Sequence, residues 1–422
     1  MRHFPLTLRP VLAIAALVAV VFMAHPITSA HADLAPWPPD PTPPAPSSIP
    51  LTTVALATAP DYPVWLEANG KRTDQTSGLT FVSRDSDGTM HFFSCDDIGA
   101  LHRIDLNESK RPAHQTTGDG WMTITELTLT PKQLEAFGTF DAKADLEESA
   151  LNGDVDPPRT SFLISVEGDR LDSEEKSAPR AQEGRIGIAT VTLDAPLEHA
   201  THVTSVTTDK VMFTDSWAGD WQQPWEGWLS ADPNAIRLPI AGMEPNRSFE
   251  GMAIGEDSAG NVDWWVAPEL PYATDPLIPA PWQGTLPLFT YRSSPTSFGL
   301  RTQFLPPDAR LESVTGMVLS PDCRTLYLVD RNSARLLRCA LDPDGAITAV
   351  AVANLSLTGP DGIPYFLPSL ESIALDDQGI LWCAVDPWKY QPLPNKGQVL
   401  SDADKQRYAD LVPMLYKFQK WE

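Results

Sequence analysis

Three glutamates share one setting. Glu147, Glu250 and Glu371 are each the second residue of a short apolar stretch: LEESAL (146–151), FEGMAI (249–254) and LESIAL (370–375). Downstream of each, a β-branched and aromatic stretch is closed by an acid, Glu167, Glu269 and Asp386 respectively; Asp96 and Asp330 close two more stretches of the same kind. Carboxylates brought together repel one another, which raises some of their pKa values unless a cation neutralises them. Hard oxygen donors in such numbers suit Ca²⁺. A Ca²⁺ ion there could polarise a phosphoryl or carbonyl oxygen and acidify a bound water. In that chemistry Glu147, Glu250 and Glu371 are the candidate general bases, and Asp96, Glu167, Glu269, Asp330 and Asp386 the candidate metal ligands. Arg247, Arg331 and Lys389 adjoin the motifs and could orient a phosphate. The competing expectation for any single acid is structural: strand-end acids commonly accept turn amides or pair with Arg.

A second candidate surface is SWAGDWQQPWEGWL (216–229), in which Trp217, Trp221, Trp225 and Trp228 are spaced by 4, 4 and 3 residues. Gly219 and Pro224 interrupt a helix, so the segment reads as an irregular loop. It is either a stacking platform for a sugar or other flat ligand, or a self-packing plug. Serine-esterase chemistry has little support. No G-x-S-x-G occurs, and the histidines (His91, His102, His114, His199 and His202 beyond the N-terminal segment) form no H-E-x-x-H. The four cysteines, Cys95, Cys323, Cys339 and Cys383, fit no zinc spacing. Cys323 and Cys339 flank one expected hairpin and could face each other, and all three pairings of the four remain open.

The elements that must position these groups form a repeat. The apolar stretch recurs as TSGLTF (76–81) and VTGMVL (314–319). The acid-closed stretch recurs as HFFSCDD (91–97), FLISVEGD (162–169), WWVAPE (264–269), LYLVDRN (326–332) and LWCAVDPW (381–388). From Ser77, Glu147, Glu250, Thr315 and Glu371 to the closing acids the separations are 19, 20, 19, 15 and 15 residues. A third strand follows in each repeat, and with an edge strand each unit is a four-stranded meander. Such units bury their faces only against neighbours, so the expectation is a β-propeller of five detected blades. A sixth could lie near 202–213, within the longest gap. An N-terminal strand, 51–57 or 62–67, is expected beside the C-terminal strand to close the ring and remove exposed edges. The start of each first strand and the end of its partner then share one mouth of the channel, bringing the acids together. A β-sandwich, or two β domains, is the alternative architecture.

Composition fits a packed globular chain: 42% of the 422 residues are hydrophobic and 20% charged. A net charge of −24 excludes a phosphate-backbone partner as the natural reading. Residues 1–32 read as a cleaved export signal. Arg2 and Arg9 precede the apolar run 11–24, and Ala30-His31-Ala32 forms an A-x-A cleavage site. Residues 33–60 begin as a proline-rich tether, and 61–422 form the propeller. No later segment is long and apolar enough to span a bilayer. The expectation is a periplasmic or secreted monomer with no nucleotide or organic cofactor.

Asn246–Gly251 with Trp264–Glu269, Leu370–Ala374 with Leu381–Asp386, Asp145–Glu147 with Ile164–Gly168, and Ser77–Leu79 with Cys95–Asp97 resemble blades of the phytase-like ("esterase-like activity of phytase") domain family, from about residue 70 onward. Similarity to the SdiA-regulated propellers is weaker. The resemblance implies a secreted propeller with phosphoesterase or esterase activity assisted by calcium. The fourth repeat departs from it, with Thr315 where a glutamate belongs. The leading functional expectation is therefore metal-assisted hydrolysis of a phosphate or other small ester. The rival is a non-catalytic propeller that recognises a sugar, peptide or cell-envelope partner. Acids already engaged by Arg or turn amides would favour the rival.

Overall fold

The structure is a computed structural model. It describes residues 49–137, 146–152, 159–166, 187–207, 249–258, 260–271, 284–294, 297–367, 369–385, 391–392 and 401–421. Five antiparallel meanders are arranged as a five-bladed β-propeller. Blade 1 is Thr76–Arg84, Met90–Asp96, Leu101–Leu106 and Met122–Glu126. Blade 2 is Leu146–Leu151, Ser161–Val166, Gly187–Leu193 and Val203–Thr207. Blade 3 is Phe249–Glu256, Val262–Pro268, Leu288–Ser294 and Ser297–Gln303. Blade 4 is Gly316–Leu319, Thr325–Asp330, Arg335–Leu341 and Ile347–Asn354. Blade 5 is Leu370–Leu375, Leu381–Val385 and Met414–Lys417, completed by the N-terminal Val64–Trp65.

Closure therefore falls to one of the two expected N-terminal strands. Val64 pairs with Leu415 and Trp65 with Met414, and both N-terminal residues are fully buried. The other candidate, Leu51–Val54, runs parallel to the outer strand of blade 4 and makes that sheet five-stranded. So the proline-rich stretch ends at a strand that belongs to the ring. The expected sixth blade is not present where it overlaps the described residues, because Val203–Thr207 is the outer strand of blade 2.

The core lies between blades, as it must when each sheet has two apolar faces and no helices to cover them. Phe93 of blade 1 stacks on Phe162 of blade 2 with ring centres 4.0 Å apart. Trp382 of blade 5 meets Phe92 of blade 1 edge-on at 5.5 Å. Trp265 of blade 3 is packed with Leu328 and Leu337 of blade 4, and Val329 of blade 4 with Ile373 of blade 5. Alternation along each middle strand places one set of side chains against the preceding blade and the other against the next.

The innermost strands crowd the axis, and there the sequence turns small. Gly78, Gly251, Gly316 and Ser372 occupy equivalent register positions in blades 1, 3, 4 and 5. A Cβ at Gly251 would lie 2.5 Å from Val314 Cγ1, so no other residue fits without displacing the next blade. Among the described residues no helix is long and apolar enough to cross a membrane. All four cysteines are buried thiols; Cys323 and Cys339 do not form the bridge that their flanking positions suggested.

Candidate functional site at the channel mouth

The blades share one irregularity, and it aims their acids. In blade 3 Phe249 pairs with Pro268 and Gly251 with Ala267, leaving Glu250 as an extra residue. In blade 5 Leu370 pairs with Val385 and Ser372 with Ala384, leaving Glu371. In blade 1 the same break leaves Ser77. In blade 2 two residues, Glu147 and Glu148, fall between the Leu146–Val166 and Ser149–Ile164 pairs. In blade 4 Thr315 stands just before the strand, its N–H donating to Val329 O at 3.3 Å. A bulge re-aims the side chain it carries, and the bulge residues Glu250 and Glu371 of blades 3 and 5 both turn toward Arg331.

The same register fixes the second set of residues. Among the described residues, Asp97, Glu269 and Arg331 come one place beyond the partner strand in blades 1, 3 and 4. Blades 1 and 3 carry an acid at this place and blade 4 carries an arginine. Asp96 and Asp330, selected from sequence as the closing acids of blades 1 and 4, are one residue short of it.

Arg331 is the centre of the described mouth. Its guanidinium donates to Glu371 Oε1 and Oε2 at 2.7 and 2.5 Å and to Glu269 Oε1, and Glu250 Oε2 lies 3.7 Å away. Blades 3, 4 and 5 thus meet in one ion cluster. All four side chains are at least nine-tenths buried. Burial alone would lower the pKa of Arg331, but the charges of Glu371, Glu250 and Glu269 raise it well above its ordinary value, so the cation is permanent. Ser369 Oγ donates to Glu371 Oε1 at 2.9 Å, and Thr315 Oγ1 donates to Leu370 O at 2.9 Å. Thr315, which breaks the glutamate pattern, therefore ties blade 4 to the backbone of blade 5.

Asp96 and Asp330 are turned away to structural work. Asp330 accepts the N–H groups of Ser313 at 3.1 Å and Glu312 at 3.3 Å, and Arg335 Nη2 at 2.5 Å. Asp96 accepts the N–H of Asp74 at 3.0 Å and lies 3.5 Å from His102 Nδ1. In blade 1 it is Asp97 that meets the bulge residue, accepting from Ser77 Oγ.

One functional candidate was not legible beforehand. Glu148, the second acid of LEESAL, stands where the other blades carry Gly or Ser, and its side chain enters the space they leave. Its Oε1 accepts Ser149 N–H at 2.9 Å and its Oε2 accepts Met317 N–H at 3.3 Å. Leu79 N–H donates to it as well, so blades 1, 2 and 4 converge on one carboxyl. Gly316 makes the room: a Cβ there would lie 3.0 Å from Glu148 Oε2 and 2.9 Å from Glu371 O. Complete burial pushes the pKa of Glu148 well above the ordinary carboxyl value, and the charge of Glu250 adds to the effect. The doubled acid at 147–148 was the available signal; which of the pair occupies the bulge depends on register.

Burial disfavours the thiolate at three of the four cysteines. Burial raises Cys339 to about 12, and burial together with Glu148 raises Cys95 and Cys383 well above the ordinary thiol value. Of the remaining candidates, Glu147 is placed in its strand without a described side chain. Glu167, Asp386, Arg247, Lys389 and the tryptophans Trp217, Trp221, Trp225 and Trp228 lie outside the described residues. Among the described residues no group of three or more His, Cys, Asp or Glu side chains could hold a metal ion. Of the expected Ca²⁺ ligands that are described, Glu269 faces a guanidinium, and Asp96 and Asp330 face a histidine, an arginine and backbone amides. These donors do not fit Ca²⁺.

No protein-family model matches the chain. No curated protein matches it in sequence. Its similarity to solved structures is of shape. PQQ-bound aldose sugar dehydrogenase from Streptomyces coelicolor is 11% identical with a TM-score of 0.38, over 85% of this chain and 98% of that one. An α-L-arabinofuranosidase variant from Fusarium graminearum, in complex with an iminosugar inhibitor, is 8% identical with a TM-score of 0.40, over 87% and 98%. A glucose dehydrogenase is 12% identical with a TM-score of 0.39, over 79% and 99%. At these values the neighbours carry no argument about chemistry, and the phytase-like resemblance stands on its motifs alone.

Proposed function

We propose that the protein is an exported propeller that takes a small polar ligand, an ester, phosphate or glycan, at the Arg331 end of its channel. The observation that carries this reading is the convergence of Glu250, Glu269, Arg331 and Glu371 from three blades at one place. Polar groups that gather at the mouth of a closed β-ring are where such a scaffold hosts function. Export rests on the signal-like residues 1–32. Calcium, as the phytase-like resemblance implies, would have to draw on Glu147, Glu167 and Asp386.

A second reading, ester hydrolysis, is favoured by Glu148. A buried carboxyl that holds its proton, in the same channel as Glu250, is the division of roles that general acid–base hydrolysis uses. Purified protein assayed on p-nitrophenyl phosphate and p-nitrophenyl acetate, with Ca²⁺ and with chelator, separates the two. Hydrolysis predicts turnover that falls by roughly 100-fold or more in Glu250→Gln. Turnover unaffected by that change removes hydrolysis at this mouth. Absence of both turnover and any ligand-induced rise in Tm across a panel of sugars, phosphates and esters removes the site.

A further inference from the structure

Three buried polar atoms of blade 1, Ser94 Oγ, Asp96 Oδ1 and His102 Nδ1, have no hydrogen-bond partner among the described residues. The register puts them together. Ser94 and His102 stand directly opposite each other on neighbouring strands, so their side chains share one face of the sheet. Asp96 lies two residues beyond Ser94 and falls on that face as well. Its Oδ2 is 3.5 Å from His102 Nδ1, beyond the range of a good N–H···O bond. Ser94 and Asp96 are fully buried and His102 is 4% exposed, so bulk solvent serves none of the three atoms. A buried polar group left unpaired is destabilising, and three in one place are not explained by chance.

The same place is a joint of the fold. Residues 66–75 carry the chain from the closing strand Val64–Trp65 into blade 1. They are pinned there by Asp74 N–H, which donates to Asp96 Oδ2 at 3.0 Å, and by Gln75 O, which accepts Asp97 N–H at 3.1 Å.

We propose that one internal water molecule is bound between Ser94, Asp96 and His102 as a fixed part of the blade. The three atoms call for a single small molecule that both donates and accepts. The carboxylate oxygen takes a hydrogen, the ring N–H gives one, and the hydroxyl does either. Water meets all three, and three partners is the typical number for an internal water. The bridge sets His102 with its hydrogen on Nδ1. Through the second oxygen of Asp96 it also links the third strand of blade 1 to the segment that closes the ring.

The test is a high-resolution crystal structure of the wild type, with magnetic relaxation dispersion of water on the wild type and on Ser94→Val in solution. One water is expected within roughly 2.5–3.2 Å of all three atoms. Ser94→Val fills the place with methyl groups, so it should lose one long-lived water from the dispersion and melt at a lower temperature than the wild type. A wild-type structure in which His102 Nδ1 bonds Asp96 directly, with no water on the three atoms, overturns the proposal. So does density at that place for an ion or a larger molecule, or an unchanged number of long-lived waters in Ser94→Val. If Ser94→Val does not fold, the wild-type crystal structure decides alone.

Discussion

Glu148 Oε2 accepts the backbone N–H of Met317 at 3.3 Å, a bond that runs from blade 2 to blade 4. These blades are not neighbours in the ring, so the bond crosses the channel. With Ser149 N–H and Leu79 N–H on the same carboxyl, it locks three innermost strands together at the floor of the mouth. The group is wholly buried, and desolvation is the main reason its pKa is raised.

The sign of the pH effect follows directly. A carboxyl with a raised folded pKa holds its proton in the native state while the unfolded chain has lost it. Stability therefore falls as pH rises from the ordinary carboxyl range toward the folded pKa, and is level above it. Glu148→Gln removes that slope. It also carries a pH-independent cost of about 1–3 kcal/mol, because its amide NH₂ cannot accept one of the facing N–H groups. Urea unfolding between roughly pH 5 and pH 9, the span between ordinary and strongly raised carboxyl pKa values, should show the wild type losing its advantage over Glu148→Gln as pH rises. Parallel curves would show that Glu148 does not change protonation in this range.

Gly316 gives a second, purely steric prediction. The atoms nearest an added Cβ include Glu371 O at 2.9 Å and Ser372 Cα at 3.0 Å, which are backbone and cannot swing aside. Gly316→Ala should therefore cost about 1–3 kcal/mol by over-packing the axis, seen as a lower urea midpoint with an unchanged m-value. Gly88 occupies a surface turn at φ +88° with nothing within 4 Å of an added Cβ. Gly88→Ala should thus be destabilising through backbone strain alone, and should leave ligand binding at the mouth untouched.

These two predictions mark where sequence reading ends. The blade pattern was readable because strand composition and turn spacing are local properties: each repeat pairs an apolar strand with an acid-closed one, and the sheets follow that order. Closure by an N-terminal strand was readable for the same reason, but 51–57 and 62–67 were equal candidates until cross-strand pairing decided between them. Register was not. Asp96 and Asp330 looked equivalent to Glu269 because all three end an apolar strand, yet cross-strand pairing puts Asp97 and Arg331 in that place. A one-residue shift sends a side chain to the opposite face, so Asp330 met Arg335 and turn amides while Arg331 reached the mouth. The bulge at Glu147 and Glu148 hides in the same way, since its extra residue is defined only by the strand opposite.

His91 carries a third prediction. It lies between two carboxylates, Nδ1 at 2.7 Å from Asp105 and Nε2 at 3.1 Å from Asp85, in the middle strand of blade 1. Burial lowers its pKa, but hydrogen bonds and charge from Asp105 and Asp85 outweigh that and leave it above the ordinary imidazole value. A raised histidine stabilises the fold fully below its unfolded pKa, and that contribution is lost as pH rises through the folded pKa. NMR titration of the ring should place its midpoint above the ordinary imidazole value, and Asp105→Asn should lower it. A midpoint below the ordinary imidazole value would show that burial dominates.

The last prediction separates the two N-terminal strands. Leu51–Val54 adds to a blade that already has four strands, and Thr52 and Thr53 remain exposed. Val64–Trp65 supplies the outer strand of blade 5, and its side chains lie in the cores shared with blades 1 and 4. Trp65 Nε1 also donates to Asp404 at 3.1 Å, tying the strand to the helix Asp402–Ala409. Nearby, Lys417 donates to both oxygens of Glu108 and Tyr62 donates to the same carboxylate, joining blade 5 to the loop after Leu101–Leu106 of blade 1. A chain beginning at Ala55 should fold with a modest loss of Tm. One beginning at Glu67 gives up three fully buried side chains, Val64, Trp65 and Leu66, worth about 1.5–3 kcal/mol each, together with the closing backbone bonds, and leaves blade 5 with an open edge. It should melt far lower and self-associate, as followed by thermal denaturation and size-exclusion chromatography. Equal melting of the two truncated chains would mean that the ring does not depend on closure through Val64 and Trp65.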